Sequence, residues 1–290
     1  MAINLAEKYS DKIVDKFYLD SVILGKTSKK YDWDGVKSIK VWTINTREPV
    51  DYNKPTSNTG TGAPLNRYGY TYEVEDTIQT MPLTQDKAVS LSVDKGNNTE
   101  QMLIKNAGVV MARELREEFV PMFDMHCLSE WNTHRGGTTV CSAENLTKST
   151  IVTEIFKHVT NIRNAKATID DAYCYIGETN YAKLLLADEF IKYENPLFGE
   201  RQLEKGVMGK VRGLQIVPVP DSYLPSGVNF MTVKSSCVLA PTKIKDMKVH
   251  QDPPGISGAL LEIRWLYDAF VLETKNAGVQ SCLTEAPSSN

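Results

Sequence analysis

The sequence predicts an α+β fold in which helices and strands are mixed without a regular βαβ alternation. Two kinds of periodicity support this class. Some segments space apolar residues about four apart, as one face of a helix does, and others alternate apolar with polar residues, as strands do. Of the 290 residues, 41% are hydrophobic and 24% are charged, so the chain can bury a large core. The composition therefore excludes a disordered chain.

The charge and the N-terminal residues exclude two classes of partner. The formal net charge is −3, so the chain lacks the positive surface of a basic nucleic-acid-binding domain. No apolar run approaches the length that a bilayer requires, and the first residues lack the order of a secretory signal. We therefore expect synthesis in a reducing cytoplasm and no membrane partner.

The cysteines are odd in number and scattered without any Cys-x-x-Cys pair. In a reducing compartment this pattern is typical of small buried hydrophobic side chains and not of a disulfide framework. We expect no disulfide, and we expect burial of all five: Cys127, Cys141, Cys174, Cys237 and Cys282.

An amphipathic helix is predicted over residues 5–24. Its apolar residues recur every four positions, at Leu5, Tyr9, Ile13 and Phe17. A polar connector follows at residues 25–30. The helix is therefore expected to be an arm that packs on a downstream element or on another chain.

A long β-hairpin is predicted next. Residues 36–44 are rich in β-branched and aromatic residues, and residues 68–74 alternate aromatic residues and Val with polar positions, so we expect these two segments to pair. Residues 45–66 between them are rich in Pro, Gly, Thr and Asn, and they cannot bury enough apolar area to order themselves. A two-stranded ribbon is not stable alone in water, so a neighbouring subunit could supply its packing partner.

A third strand is predicted at residues 89–93, followed by a long helix that Asn98 caps and that runs to Phe119. Pro121 is expected to end or kink this helix. A polar break is predicted from Trp131 to Ala143.

The second half of the chain is predicted to mix helices and strands. A helix over residues 151–162 has Thr147 as its expected cap, and a buried strand at 172–177 precedes a helix over 181–185. Residues 206–220 are typical of a strand, a tight turn and a second strand. Further strands are predicted at 230–233, 243–249, 260–266 and 268–273.

No catalytic residue, cofactor or metal site is predicted. The glycines of 206–213 precede a strand, whereas phosphate capture needs glycines that open a helix. Asp170 and Asp171 are typical of a turn before a buried strand. The alternative is a soluble metal enzyme whose zinc ligands come from one stretch, namely His126, Cys127, His134 and Cys141, although no pair has the short spacing of structural zinc sites.

The order of these elements resembles that of the tailed-bacteriophage major capsid proteins. Four passages carry the resemblance: the start of the long helix at 98–100, residues 175–185, residues 206–220, and residues 264–272. Together with the layout they cover nearly the whole chain.

The resemblance implies a division into named parts. These are an N-terminal arm (1–35), an extended loop formed by the hairpin (36–95), a peripheral domain with a spine helix (96–144 and 234–290) and an axial domain (145–233). Candidate charged contacts between subunits at the extended loop are Arg47, Glu48, Lys54 and Arg67.

The resemblance also implies a structural function and no enzymatic one. The chain would assemble with itself into hexamers and pentamers of an icosahedral shell, which encloses double-stranded DNA without reading its sequence. It would be made in the cytoplasm of the bacterial host and reside in the virion, with possible separate scaffolding, portal and decoration proteins.

Two departures and one alternative belong with this resemblance. Some members of this family carry a helical scaffolding segment before the arm. This chain begins almost at its arm, so we expect scaffolding to come from a separate protein or to be unnecessary. Other members cross-link a lysine of the extended loop to an asparagine of a neighbouring subunit. Lys54 is the obvious lysine of the loop here, but the sequence has no matching acceptor motif, so we do not predict this cross-link. The alternative is an encapsulin-like shell that holds enzyme cargo, with the helix at residues 5–24 lining a groove for a cargo peptide.

Overall fold

The computed structural model of this chain describes residues 20–31, 38–52, 68, 71–100, 107–142, 144–187 and 210–285. Two compact units divide the chain: residues 37–82, here called the ribbon, and residues 1–36 with 83–290, here called the body. The mixture of helices and strands confirms the predicted α+β class. The predicted domain boundaries stay a prediction.

The strands, in chain order, are β1 Ser38–Ile44, β2 Asp76–Pro82, β3 Gln85–Asp94, β4 Gly137–Val140, β5 Ala172–Gly177, β6 Lys210–Val211, β7 Leu214–Val219, β8 Val228–Lys234, β9 Val238–Leu239, β10 Thr242–Gln251, β11 Gly258–Tyr267, β12 Phe270–Val271 and β13 Val279–Leu283. The helices are α1 Lys95–Glu100, α2 Ala107–Glu114, α3 Val120–Thr133, α4 Ile151–Asn164 and α5 Glu178–Leu185, and a π-helical turn, Leu115–Phe119, joins α2 to α3. We call α2, this turn and α3 together the spine helix.

The ribbon is an antiparallel pair of β1 and β2, in which Ser38 lies opposite Pro82 and Ile44 opposite Asp76. The first predicted strand, 36–44, is confirmed over the described residues 38–44, but its predicted partner, 68–74, was wrong. The described residues 71–75 form no ladder. The alternation of tyrosines predicted a strand, but Tyr72 packs on a side chain across the ribbon. The Arg47 guanidinium lies 3.6 Å from the centroid of its ring.

The body contains a three-stranded antiparallel sheet in the order β10-β11-β3. β3 confirms and extends the strand predicted at 89–93. The spine helix belongs to the same hydrophobic core as this sheet. The Phe123 ring stacks on the Trp265 ring with centroids 5.3 Å apart, and it meets the Tyr267 ring edge-on at the same distance. These buried aromatic rings hold the helix on the sheet.

The start of the predicted long helix needs correction. Helix α1 begins at Lys95 and not after Asn98, because Asp94 Oδ1 accepts the N–H of Asn97 at 2.9 Å. Residues 101–106 lie outside the described residues.

Pro121 does not end the helix. The Val120 N–H donates to the carbonyl oxygen of Leu115, five residues earlier, which is the wider spacing of a π-helical turn. This turn places Pro121 in the first turn of α3, where a missing N–H costs no ladder bond. The polar break predicted at 131–143 is confirmed only at 134–136 and 141–142, because α3 continues to Thr133 with Trp131 fully buried and β4 occupies Gly137–Val140.

The second sheet of the body has six strands in the order β4-β13-β8-β5-β7-β6. The pairs β13–β4 and β5–β7 are parallel and the other pairs are antiparallel. This sheet contains strands from both the peripheral domain and the axial domain that the resemblance implied. One face of α4 is buried in a hydrophobic core that includes Ile176, Ile216 and Phe230 of this sheet.

Most predicted elements of this half are confirmed, including β5, α5, the hairpin of β6 and β7, and the strands β8, β10 and β11. The N-cap position of α4 is Thr150 and not Thr147, and the Thr150 side chain makes no capping hydrogen bond; its hydroxyl oxygen accepts the Thr147 N–H at 2.9 Å instead. The strand predicted at 268–273 is reduced to β12, because a 3₁₀ turn occupies Glu273–Gly278. Residues 206–209 lie outside the described residues.

Residues 20–24 form a turn and not the end of the predicted helix; the rest of that helix prediction, residues 5–19, lies outside the described residues. The Ser21 hydroxyl accepts the N–H groups of Ile23 and Leu24 at 3.3 and 3.2 Å, and this local bonding competes with a helical ladder. Asp124 accepts the Ser21 hydroxyl at 2.7 Å and the Val22 N–H at 2.8 Å. Ile23 is fully buried, so this turn is anchored on the spine helix.

All five cysteines are buried free thiols, which confirms their prediction as small core side chains. Among the described residues, no helix combines the length and the apolar character needed to span a membrane.

Candidate assembly surface

The four residues of the zinc alternative do not converge. Cys127, a residue of the spine helix, lies in the core that this helix shares with the three-stranded sheet, and Cys141 lies in the other core, which contains one face of α4. His126 pairs with Asp268 at 3.0 Å, and exposed His134 contacts the carbonyl oxygen of Glu130 at 3.1 Å. Within the described part of the chain, no group of three or more His, Cys, Asp or Glu side chains could hold a metal ion.

The other two patterns that the sequence offered as sites have structural roles. Asp171 has a φ of 58° in a turn before β5, and the carbonyl oxygen of Asp170 accepts the ammonium group of Lys234 at 2.6 Å. Arg212 and Gly213 have φ values of 49° and 90° and form the tight turn between β6 and β7. Both predictions of turns are confirmed.

The ribbon exposes an unusual share of large apolar side chains. Of the sixteen exposed large hydrophobic residues among those described, eight lie in the ribbon: Trp42, Ile44, Val50, Tyr52, Tyr68, Tyr72, Val74 and Ile78. A monomeric protein rarely leaves such a cluster in water, because contiguous exposed apolar patches mark interaction surfaces. The ribbon is therefore the candidate functional surface of the chain.

The register of the ribbon places three of these residues on one face. Trp42 lies directly opposite Ile78, and Ile44 is two residues along the same strand. The exposed fractions are 65% for Trp42, 68% for Ile44 and 47% for Ile78. We call these three residues the apolar face of the ribbon.

Beyond the ladder, one backbone hydrogen bond and several side-chain contacts hold the two halves of the ribbon together. The Asn45 N–H donates to the carbonyl oxygen of Glu75 at 2.9 Å. The Arg47 guanidinium, besides its contact with Tyr72, lies 3.9 Å from the Glu75 carboxylate. The Tyr52 and Tyr68 rings meet edge-on with centroids 5.0 Å apart.

The structure describes two of the four residues that were predicted to make charged contacts between subunits. Arg47 is engaged within the ribbon, Glu48 is exposed, and Lys54 and Arg67 lie outside the described residues. Their role between subunits stays a prediction.

No protein-family model matches this sequence, and a search of curated proteins finds no match. Solved structures do match over nearly the whole chain. The structure from Mycobacterium phage Che8 has 13% identity and a TM-score of 0.74, with 96% of each chain covered. The capsid of cyanophage P-SCSP1u has 14% identity and a TM-score of 0.72, with 96% of this chain and 92% of that chain covered. The mature capsid of bacteriophage PhiM1 has 12% identity and a TM-score of 0.67, with 98% and 93% covered.

The chain has the phage capsid fold. The predicted resemblance is thereby confirmed at the level of the fold, including the mixed helices and sheets that it implied. At identities of 12–14% the likeness concerns the backbone arrangement, so the function must be argued from this chain's own surface.

Sequence reasoning missed a buried carboxylate of the capsid-fold body. Asp268 accepts the N–H and the hydroxyl of Thr84, both at 2.8 Å, the N–H of Ala269 at 2.8 Å, and contacts His126 Nε2 at 3.0 Å. Burial alone would raise the pKa of Asp268, but the hydrogen bonds from His126 and Thr84 lower it below its ordinary value. The carboxylate fixes the chain two residues after the ribbon ends, and no local motif announces it.

A buried histidine was missed as well. His158 on α4 is fully buried, and its two ring nitrogens pair with the hydroxyls of Thr139 and Thr232 at 2.8 and 2.9 Å. Burial lowers the pKa of His158 to about 3. The ring is therefore neutral, and it joins α4 to two strands of the six-stranded sheet.

Proposed function

We propose that this chain is the major capsid protein of a tailed bacteriophage, a subunit that assembles with itself into a closed shell. The observation that carries the proposal is a ribbon whose described residues belong to neither hydrophobic core and expose large apolar side chains, on a chain that matches phage capsid structures over 96–98% of its length. Such a ribbon becomes stable when it is laid on a neighbouring copy, and rotational symmetry repeats the contact around a ring.

The finer parts of the proposal follow from the same reasoning. Hexamers and pentamers of one chain would close an icosahedral shell around double-stranded DNA, in the virion and after assembly in the host cytoplasm. The acidic balance of the chain, −3, supports enclosure of DNA without sequence-specific binding. Scaffolding, portal and decoration proteins would be separate chains, and the subunit would have no enzymatic role.

The division into parts is proposed on the same basis. The arm would be residues 1–35, the extended loop 36–95, the peripheral domain 96–144 with 234–290, and the axial domain 145–233.

An encapsulin-like compartment is the second candidate. The matching structures include a phage capsid and the head of a Helicobacter pylori bacteriophage, KHP40, at a TM-score of 0.68, and this favours the viral shell. Nuclease-resistant DNA inside purified particles supports the virus, whereas a co-purified enzyme without nucleic acid supports the compartment.

The test is assembly of the ribbon variant Trp42→Glu/Ile78→Glu. Both side chains are exposed, so the subunit should fold, but two carboxylates on the apolar face should prevent docking because each would be buried without a partner. Negative-stain microscopy should show shells for the unmodified chain and none for the variant. The conservative variant Trp42→Phe/Ile78→Val should still form shells. Shells of normal yield from the glutamate variant would overturn the proposal.

A further inference from the structure

One flank of helix α4 carries a cation and no carboxylate. Phe156, Thr160 and Arg163 recur at spacings of four and three residues, so they lie along the same side of the helix. Glu154, the acidic residue of α4, lies on the opposite flank and pairs with Lys157 at 2.6 Å. Arg163 therefore has no anionic neighbour on its own flank of the helix.

Two neighbouring turns add a cation each. The Arg212 guanidinium, in the turn between β6 and β7, lies 5.5 Å from the centroid of the Phe156 ring. Lys166 follows the end of α4, where its N–H donates to the carbonyl oxygen of Arg163 at 2.9 Å. Phe156 and Arg163 are about 10 Å apart along the helix axis. We call Arg212, Arg163 and Lys166 the cationic row.

The charges of the cationic row are available to a partner. All three side chains are exposed, and within the described residues none of them forms an ion pair. The same end of the sheet also contains Asp170, Asp171 and Lys234, whose ammonium group donates to the Asp170 carbonyl oxygen. Four cations and two carboxylates leave this end positive, although the whole chain has a net charge of −3.

The outer face of the three-stranded sheet has the opposite arrangement. Arg264 pairs with Asp86 at 2.6 Å, and Lys248 pairs with Asp246 at 2.8 Å. These charges neutralise one another within the face, so they offer little to a charged partner. The cationic row lacks such internal neutralisation.

The backbone does not explain why cations occupy the row. Lys166 and Arg212 have φ values of 61° and 49°, a conformation that favours Gly, Asn and Asp. The other two non-glycine residues with positive φ among those described are indeed aspartates, Asp171 and Asp252. Local conformation therefore favours other residues at positions 166 and 212, and a positive charge is the property that the two side chains share.

We infer that the cationic row contacts phosphates of the enclosed double-stranded DNA, so that this flank of α4 faces the inside of the shell. The inference rests on the proposed function and names the surface that meets the DNA. Each DNA strand has a phosphate about every 3.4 Å of helix axis, so the distance from Phe156 to Arg163 spans about three phosphates. Such contacts read no base, and repetition over many subunits adds up their weak individual affinities.

The first experiment titrates a short, fluorescent DNA duplex with unassembled subunits separated from shells by size-exclusion chromatography. Three phosphate contacts predict that affinity falls about fortyfold between about 50 and 200 mM salt. Arg163→Gln/Lys166→Gln/Arg212→Gln should lose this binding and its salt dependence. The variant should fold, as circular dichroism can verify, because all three side chains are exposed.

Two control variants separate the row from net charge. Lys87→Gln/Lys148→Gln/Lys275→Gln removes three exposed lysines elsewhere in the body and lowers the net charge equally, but it should bind DNA as the wild type does. Arg163→Lys/Arg212→Lys keeps the charges of the row and should also bind normally. Equal affinities of the two glutamine variants would overturn the inference.

The second experiment finds which side of the shell the row faces. Thr160→Cys introduces a thiol in the middle of the row, and the five native thiols are buried, so the new thiol is the accessible one. In empty shells N-ethylmaleimide, which is small enough to pass between subunits, should modify it. A maleimide carried on a large polyethylene glycol should modify free subunits but not intact shells.

The outcomes separate the inference from the proposed function. Modification of intact shells by the large reagent would place the row outside, and the inference would fail while the proposed function stands. Protection from both reagents would place the row in a contact with an acidic surface of another subunit, which also overturns DNA contact. Absence of any shells would refute the proposed function, and the inference with it.

Discussion

Acidification from pH 7.5 to pH 5 should reduce the free energy of unfolding by about 2 kcal/mol through one side chain, His158. Its ring is fully buried, both nitrogens pair with hydroxyl groups, and the Phe230 ring lies 4.8 Å away. Burial lowers its pKa from 6.5 to about 3. The folded state therefore takes up no proton at this site over that pH range.

The unfolded state does take up a proton as the pH falls through about 6.5, so it binds more protons than the folded state and stability decreases. At pH 5 the gap from the unfolded pKa is about 1.5 pH units, and each unit is worth about 1.36 kcal/mol. The predicted loss of stability does not depend on the exact pKa of His158 in the folded state, as long as that pKa is well below 5.

The assay is urea unfolding of unassembled subunits at pH 7.5 and pH 5, followed by circular dichroism. His158→Gln should lose about 2 kcal/mol less than the wild type between the two pH values. The exposed His134→Gln is the control and should keep the wild-type loss. The contributions of Asp124 and Asp268 to the pH dependence of stability are the same in all three proteins, so they cancel when the losses are compared. Equal pH losses in the wild type and His158→Gln would refute the reasoning.

Three further predictions concern packing in the body. Asp124→Ala leaves the Ser21 hydroxyl and the Val22 N–H without their acceptor, so stability should fall by about 1–3 kcal/mol and hydrogen exchange at Val22 should accelerate; an unchanged exchange rate would contradict this. Phe123→Ala removes a ring stacked on Trp265 and should cost about 3–5 kcal/mol in guanidinium unfolding. A loss below about 1 kcal/mol would show that the core closes over the cavity. Burial raises the pKa of all five thiols, so a thiol reagent should modify none in the folded chain and five after unfolding; rapid labelling of the folded chain would disprove their inert burial.

The sequence could predict elements whose periodicity is regular. Helices α4 and α5 were placed because their apolar residues repeat at helix spacing, and strand β5 because it is a short, nearly continuous apolar run. The second strand of the ribbon was misplaced because its ladder depends on pairing across the hairpin, whereas the tyrosines of 68–74 have the stronger local pattern. The π-helical turn before Pro121 was not foreseen, since the residues of that turn have ordinary helical character.

Strand β13 was missed for a different physical reason. Every one of its five residues is buried, so it has no alternation of apolar and polar positions, and it contains Gln280 and Ser281. The ribbon as a functional surface could be inferred from composition, but its apolar face needed the register of Trp42 and Ile78. The pairing of Asp268 with Thr84 joins residues 184 positions apart, and no single-sequence pattern reports such contacts.

The position of β13 in the six-stranded sheet constrains the order of events during synthesis. It lies between β4 and β8, so residues near 140 and near 230 cannot be joined in this sheet until the ribosome has passed Leu283. A nascent or prematurely terminated chain would therefore carry an incomplete sheet with an unpaired inner edge. Under the proposed function, this delay would keep unfinished subunits out of a growing shell, because the body that they must contribute closes only after translation has passed that point.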